Sequence, residues 1–204
     1  MSDVVVVGRA NAGKTSACLR LARALGVEDL VWMVERTDGV REKRRLPIRE
    51  AERWLTSGEP HSTTALQTLT IPVARGKVSR SVDIVDSAGL AEGHARDERV
   101  RRAMGQTLRA LISAKAVLHV VDAADVGRAL EARETPFHAL DEQLVAIGRT
   151  KAFYLVLASK IDLPLAERGV AWLRERLRDA RVIATSAKTG AGFDEVKRYV
   201  WKLA

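Results

Sequence analysis

The chain has 204 residues, with 34 Lys and Arg against 26 Asp and Glu, a net charge of +8. Hydrophobic content of 47% beside 29% charged residues is that of a globular protein, and no apolar run approaches the roughly 18 residues of a membrane span. The single Cys18 excludes an internal disulfide and fits a reducing, cytoplasmic setting. Met1-Ser2-Asp3 enters an apolar run at once, so no signal peptide is expected. The basic balance permits a polyanionic partner, RNA or an acidic protein, although a solvated Arg-rich surface has the same composition.

Val4–Val7 reads as a buried strand, followed by an amphipathic helix over 14–25 with Gly26 as its C-terminal cap. The stretch 28–60 holds a strand at 30–34, a basic segment at 41–45 and a helix at about 48–55. It is either an insertion packed on the domain or a mobile arm. Residues 68–74 and 81–85 are expected to pair about the Gly76-Lys77 turn, as an antiparallel hairpin at the sheet edge. A helix over about 97–113 precedes a buried strand at 116–121. Phe137, Leu140, Leu144 and Ile147 keep the spacing of one helix face. A strand at 152–158, a helix over about 165–178 behind Pro164 and a strand at 181–185 follow. A last helix carries Phe193, Val196, Val200 and Leu203. Alternating strands and helices argue for a parallel α/β sheet. Without internal repeats or low-complexity linkers, one domain over 1–204 is expected.

Gly8-Arg9-Ala10-Asn11-Ala12-Gly13-Lys14-Thr15 is a phosphate-binding loop set between a strand and a helix. Its glycines let successive N–H groups, those of Ala12, Gly13 and the helix-opening Ser16 among them, point at phosphate oxygens. Lys14 supplies a point charge for the β- and γ-phosphates, and the Thr15 hydroxyl suits Mg²⁺. At 82–86 an apolar strand ends in Asp86, then Ser87-Ala88-Gly89. A carboxylate there suits water-mediated anchoring of the metal, and Gly89 leaves its N–H free to approach the γ-phosphate. Ser159-Lys160-Ile161-Asp162 follows another buried strand. Asp162 could accept both guanine N1–H and the exocyclic amine, a paired contact that adenine cannot make. The Lys160 stem can lie over the base. Thr185-Ser186-Ala187-Lys188 closes the set, with backbone N–H groups for the guanine carbonyl.

These four segments, in this order, resemble the G1, G3, G4 and G5 boxes of the P-loop GTPases. The resemblance implies a three-layer P-loop NTPase with a Ras-like G domain, its mostly parallel sheet six-stranded and flanked by helices, with an insertion before switch I at 28–60. It further implies GTP and GDP binding with Mg²⁺, and hydrolysis of GTP to GDP and phosphate as a molecular switch. Ser159 departs from the usual Asn or Thr that tethers its loop to the phosphate loop. Gly8 to Lys14 and Asp86 to Leu90 are similar to the Era/TrmE-type bacterial GTPases. In that group the loop asparagine, here Asn11, helps hold K⁺ in place of an arginine finger; alternatively Asn11 satisfies backbone groups of its own loop. Leu90 stands where Ras-like GTPases carry a water-orienting glutamine, and leucine has no polar atom for that work. The resemblance implies slow intrinsic turnover, and stimulation by K⁺, by a nucleotide-dependent dimer or by a partner. Glu98 matches the acidic catalytic position of TrmE-like proteins, with Glu92 and His94 as alternatives in switch II. Thr64, in His61-Ser62-Thr63-Thr64, is the candidate switch I threonine for Mg²⁺ and the γ-phosphate. The alternative to an enzyme is a nucleotide-gated module for RNA, a ribosomal subunit or a protein, with negligible hydrolysis of its own and no membrane insertion.

Overall fold

The computed structural model describes residues 4–35, 40–56, 66–75, 78–86 and 98–202. Strand β1 (Val4–Val7) lies mid-sheet, with all four valines buried. That is the environment of a parallel strand covered on both faces, and an unbroken run of β-branched residues suits it. Val4 and Val6 face one core and Val5 and Val7 another. Helix α1 (Lys14–Ala24) ends in a Schellman motif about Gly26, whose φ of +80° only glycine adopts cheaply. There the Gly26 and Val27 N–H groups donate to the Arg23 and Ala22 carbonyls.

The described residues of 28–60 form β2 (Asp29–Glu35), β3 (Arg41–Pro47) and α2 (Ile48–Thr56). This segment is packed on the sheet. Leu30 and Trp32 of β2, with Ile48 and Ala51 of α2, are buried in the core that α1 covers. The basic segment is the edge strand β3, its arginines paired locally: Arg41 with Glu35, Arg44 with Glu42, and Arg45 with Asp29. Charged side chains along an unpaired edge discourage further strand addition.

Strands β4 (Leu66–Arg75) and β5 (Val78–Asp86) pair antiparallel as expected. They do not form the sheet edge, because β2 joins β4 and β3 joins β2. After α3 (Glu98–Ser113) come β6 (Ala116–Asp122), α4 (Ala123–Ala132), α5 (Ala139–Gly148), β7 (Phe153–Ser159), α6 (Ala166–Arg176), β8 (Arg181–Ala184) and α7 (Phe193–Val200). The sheet order is β3-β2-β4-β5-β1-β6-β7-β8. It runs parallel from β5 to β8 and antiparallel from β5 to β3. Among the described residues the sheet has eight strands, two more than the six expected, and 28–60 supplies both. Buried residues of α1, α2 and α7 cover one face, and those of α3 to α6 the other, giving three layers.

Helix α4 was not expected from the apolar spacing. Its start is nonetheless marked in the sequence, because Asp122 caps it by accepting from the Asp125 N–H at 3.0 Å. Phe137 precedes α5 rather than belonging to it, and its ring packs 5.8 Å from Trp172 of α6. Buried His119 of β6 bonds Asp141 of α5 and Tyr154 of β7, each at 3.0 Å, so this polar interior is satisfied. Among the described residues no helix is long and apolar enough to cross a membrane.

Helices α4 and α6 approach backbone to backbone. A Cβ on Gly169 would lie 1.9 Å from the Ala123 carbonyl oxygen, and one on Gly127 would lie 2.0 Å from that of Leu165. Alanine gains about 1 kcal/mol of helix propensity over glycine, yet the overlap outweighs it. Gly169→Ala is expected to cost about 1–3 kcal/mol net, as overpacked substitutions do. A lower urea midpoint checks this, and an unchanged or raised midpoint contradicts the close approach.

Candidate functional site

The parallel strands end on one side of the sheet, where open α/β sheets bind ligands. The loop after β1, Asp86 at the end of β5, Asp122 at the end of β6, Ser159 at the end of β7 and Thr185 just past β8 all lie there. Strand register sets them side by side: Val6 pairs with Asp86, and Asp122 with Ser159.

The phosphate loop is held by backbone contact. Gly8, at φ +145°, lies so close to β6 that a Cβ would meet the Val120 carbonyl oxygen at 2.2 Å. Gly13 opens α1 in the left-handed region. Lys14 is buried, and its Nζ donates to the Arg9 carbonyl at 2.8 Å. Burial lowers its pKa against the attraction of Asp86. An ammonium in this setting is short of negative charge, and phosphate oxygens supply it. Asn11 sits at φ +61° on the exposed turn, and its side chain makes no hydrogen bond among the described residues. That disfavours a role in satisfying its own loop. Ala12 is buried below it, while Ser16 is half-buried in the first turn of α1.

Asp86 is fully buried. Thr15 Oγ1 donates to its Oδ2 at 2.5 Å, while Oδ1 is buried with no hydrogen-bond partner among the described residues. Burial pushes its carboxyl up to about 6, and the Thr15 bond and Lys14 only partly offset this. A hydroxyl and an under-satisfied carboxylate are hard oxygen donors, the set that suits Mg²⁺.

The base-side loops are cross-linked to the phosphate loop. Ser159 Oγ lies 2.7 Å from the Ala12 carbonyl and 3.1 Å from that of Val121. The short hydroxyl thus makes the tether for which its family position normally uses Asn or Thr. Lys160, at φ +59°, pairs with Asp122 at 2.7 Å and passes Gly13. Asp162 is exposed and accepts from Ser186 Oγ at 2.6 Å, which holds its pKa below the usual carboxylate value. Ala187 and Lys188 are held from α1, where Arg20 Nε donates to the Ala187 carbonyl at 2.6 Å and Nη2 to that of Lys188 at 2.8 Å. Gly13, Ser16, Lys160, Asp162, Ala187 and Lys188 line one cavity of about 460 Å³.

Glu98 opens α3 and pairs with Arg102 at 2.6 Å. The shallow cleft beside it is lined by α3 residues and includes no phosphate-loop residue. Thr64, Gly89, Leu90, Glu92 and His94 lie outside the described residues. Sequence reasoning missed Arg20, which helical spacing places one turn beyond Ser16 on the same face. It also missed Asp122, although that residue ends an apolar strand just as Asp86 does.

A glycine-held phosphate loop, a buried aspartate behind its threonine and two tethered loops at the strand ends define a P-loop nucleotide-binding α/β protein. The chain belongs to the 50S ribosome-binding GTPase family, whose profile matches residues 49–160, more than half of its length. It carries a GTPase domain of that family. The matched span takes in Asp86 and Lys160; the phosphate loop and residues 185–188 lie outside it. Era from Aquifex aeolicus bound to GDP and aluminium fluoride is similar, with TM-score 0.62 and 18% identity over 98% of this chain and 56% of that one. Era in complex with MgGDPNP and a 16S ribosomal RNA segment gives TM-score 0.65 and 17% identity over 99% of this chain and 56% of that one. The G domain of the T. maritima FeoB iron transporter gives 0.55 and 18% over 100% and 98%. At these identities the likeness is one of fold, and the chain spans just over half the length of the Era chains. No curated protein matches the chain.

The Asp86 carboxyl yields a prediction for the metal-free, nucleotide-free protein. Between its ordinary value of 3.8 and about 6, the folded state keeps a proton that the unfolded state has released. Stability therefore falls as pH rises through that window. The shift corresponds to about 3 kcal/mol in full. Asp86→Asn is expected to recover up to that amount at pH 7.5 relative to wild type, and much less at pH 4. Urea melts at both pH values check it, and equal differences at the two would contradict it.

Proposed function

We propose that the protein binds GTP and hydrolyses it to GDP and phosphate with Mg²⁺, acting as a slow molecular switch whose turnover K⁺ stimulates. The observation that carries this reading is the Thr15 hydroxyl on the buried Asp86, directly behind the phosphate loop. Thr15 would hold Mg²⁺ directly, with Thr64 from switch I, and Asp86 through water. Mg²⁺ held there would supply positive charge to offset the charge that develops on the β- and γ-phosphate oxygens. Lys14 exchanges the Arg9 carbonyl for those oxygens, and Gly89 offers its N–H to the γ-phosphate. Ala12, Gly13 and Ser16 present backbone donors to the phosphates.

Asp162 reads the guanine N1–H and amine while Ser186 fixes its carboxylate, and Ala187 and Lys188 offer N–H groups to the carbonyl. Lys160 covers the base plane. Asn11, whose side chain makes no hydrogen bond among the described residues, would turn its amide oxygen to K⁺. Glu98 positions the attacking water once it leaves Arg102, and opening an exposed ion pair costs about 0–1 kcal/mol. The family's description, with the net charge of +8, supports a ribosomal RNA or acidic protein partner. A nucleotide-dependent dimer is a further route to stimulation. With the arginines of β3 paired locally, the excess charge lies elsewhere on the molecule. We read residues 1–204 as one G domain and 28–60 as its insertion before switch I. Leu90, lacking a group to orient water, favours a second reading, a nucleotide-gated binding module with negligible hydrolysis.

Phosphate release in KCl and in NaCl separates the two. Faster release in KCl is expected, and Asn11→Ala should bring the KCl rate down to the NaCl rate; a surviving K⁺ response refutes the ion assignment. Lys14→Ala should weaken GDP binding on the order of a hundredfold, because phosphate oxygens lose a charged partner. Tight GTP binding without release in either salt leaves the second reading.

A further inference from the structure

The cavity that joins the phosphate loop to the base loops has a wall from outside the shared boxes. Glu52 of α2 lines it, together with Ser16 and Arg20 of α1 and Asp162 and Lys188 of the base side. The packing of α2 fixes this wall. Ile48 and Ala51 are buried in the core shared with α1, and the Ile48 N–H donates to the Glu28 carbonyl at 2.8 Å. Glu52 follows the fully buried Ala51 on α2, so the packing of that helix sets where its half-buried side chain begins. Its carboxylate pairs with Arg23 of α1 at 3.3 Å. One helical turn earlier, Arg20 grips the opposite wall at Ala187 and Lys188. Helix α1 thus braces both sides of the cavity.

The chemistry of the lining assigns Glu52 a partner. A nucleotide here has its phosphates at Gly13 to Thr15 and its base edge at Asp162, so its ribose spans the space between. A ribose presents two vicinal hydroxyl donors. Among the described residues lining the cavity, the carboxylates are Asp162 and Glu52. Asp162 is committed to the base side through Ser186. A carboxylate is the acceptor that reads ribose hydroxyls in other nucleotide sites, and a site built to accept from a hydroxyl discriminates against the analogue lacking it.

We propose that Glu52 accepts hydrogen bonds from the ribose hydroxyls of the bound nucleotide and makes the protein selective for ribonucleotides over 2′-deoxyribonucleotides. The segment that supplies strands β2 and β3 would then also supply the sugar-specificity residue. This rests on the guanine-nucleotide reading above.

The test measures affinities of GDP and 2′-deoxy-GDP, and of ADP and 2′-deoxy-ADP, for wild type, Glu52→Ala and Glu52→Gln. For wild type, GDP is expected to bind about tenfold more tightly than its deoxy analogue, the scale of one partly exposed hydrogen bond to a charged group. Glu52→Ala should abolish that ratio by weakening GDP alone, and Glu52→Gln, which keeps an acceptor, should retain part of it. A ratio near one in wild type, a ratio surviving in Glu52→Ala, or an equal loss for both sugars in Glu52→Ala overturns the proposal. A selective loss against inosine diphosphate, which lacks the exocyclic amine, would instead put Glu52 on the base and also overturns it. Equal binding of GDP and ADP by wild type would defeat the guanine reading, while the ratio within each base still judges Glu52. Circular dichroism of both variants guards against misfolding as the cause.

Discussion

The buried Asp86 carboxylate is the constraint around which the rest of the molecule is arranged. Full removal of a carboxylate from water is expensive, and here one oxygen is served by Thr15 while the other has no partner among the described residues. Lys14, also buried, stands close enough to lower the cost by attraction, yet its own burial is incompletely compensated. Two opposite charges, both short of solvation, sit at the end of paired parallel strands. Such a site is more stable once a cation and an anion arrive together, which is the form in which a metal-bound nucleoside triphosphate comes.

Holding that pair in place requires the strand order. Val6 beside Asp86 fixes the height of the phosphate loop relative to the carboxylate, and the contact of Gly8 with Val120 allows the loop no vertical play. Asp122 extends the scheme by one strand: it caps α4 with one oxygen and holds Lys160 with the other. The base loops are therefore positioned by the same strand ends that position the phosphates. The added β2–β3–α2 segment lies across α1 from them and is tied to that helix by the Arg23–Glu52 pair.

Much of this is legible in the sequence. Four consecutive valines before a glycine-rich loop specify the central strand and the phosphate site together, because local signal and burial agree. Asp86, Lys160 and Asp162 are legible for the same reason, each lying at or just past the end of an apolar run. What resisted reading depends on contacts between distant segments. The basic run at 41–45 looks like a free surface until β2 and β3 pair, which sets Arg41 opposite Glu35 and brings Arg45 diagonally to Asp29. Helix α4 is short and Ala-rich, so apolar spacing passes over it and only its Asp122 cap marks it. Arg20 and Glu52 carry no local signature, because their significance lies in a cavity that three separate helices and loops close.

The Ser159 hydroxyl has two carbonyls within reach, on Ala12 and on Val121, and only one proton to give. A buried donor left with no acceptor would cost about 1–3 kcal/mol, but here the alternative acceptor is already in position. If the phosphate loop turns the Ala12 carbonyl aside, the hydroxyl rotates to the strand, leaving no orphan behind. The link between the phosphate side and the base side is thus a latch with a resting place, which can be released and remade for little more than the energy of a rotor.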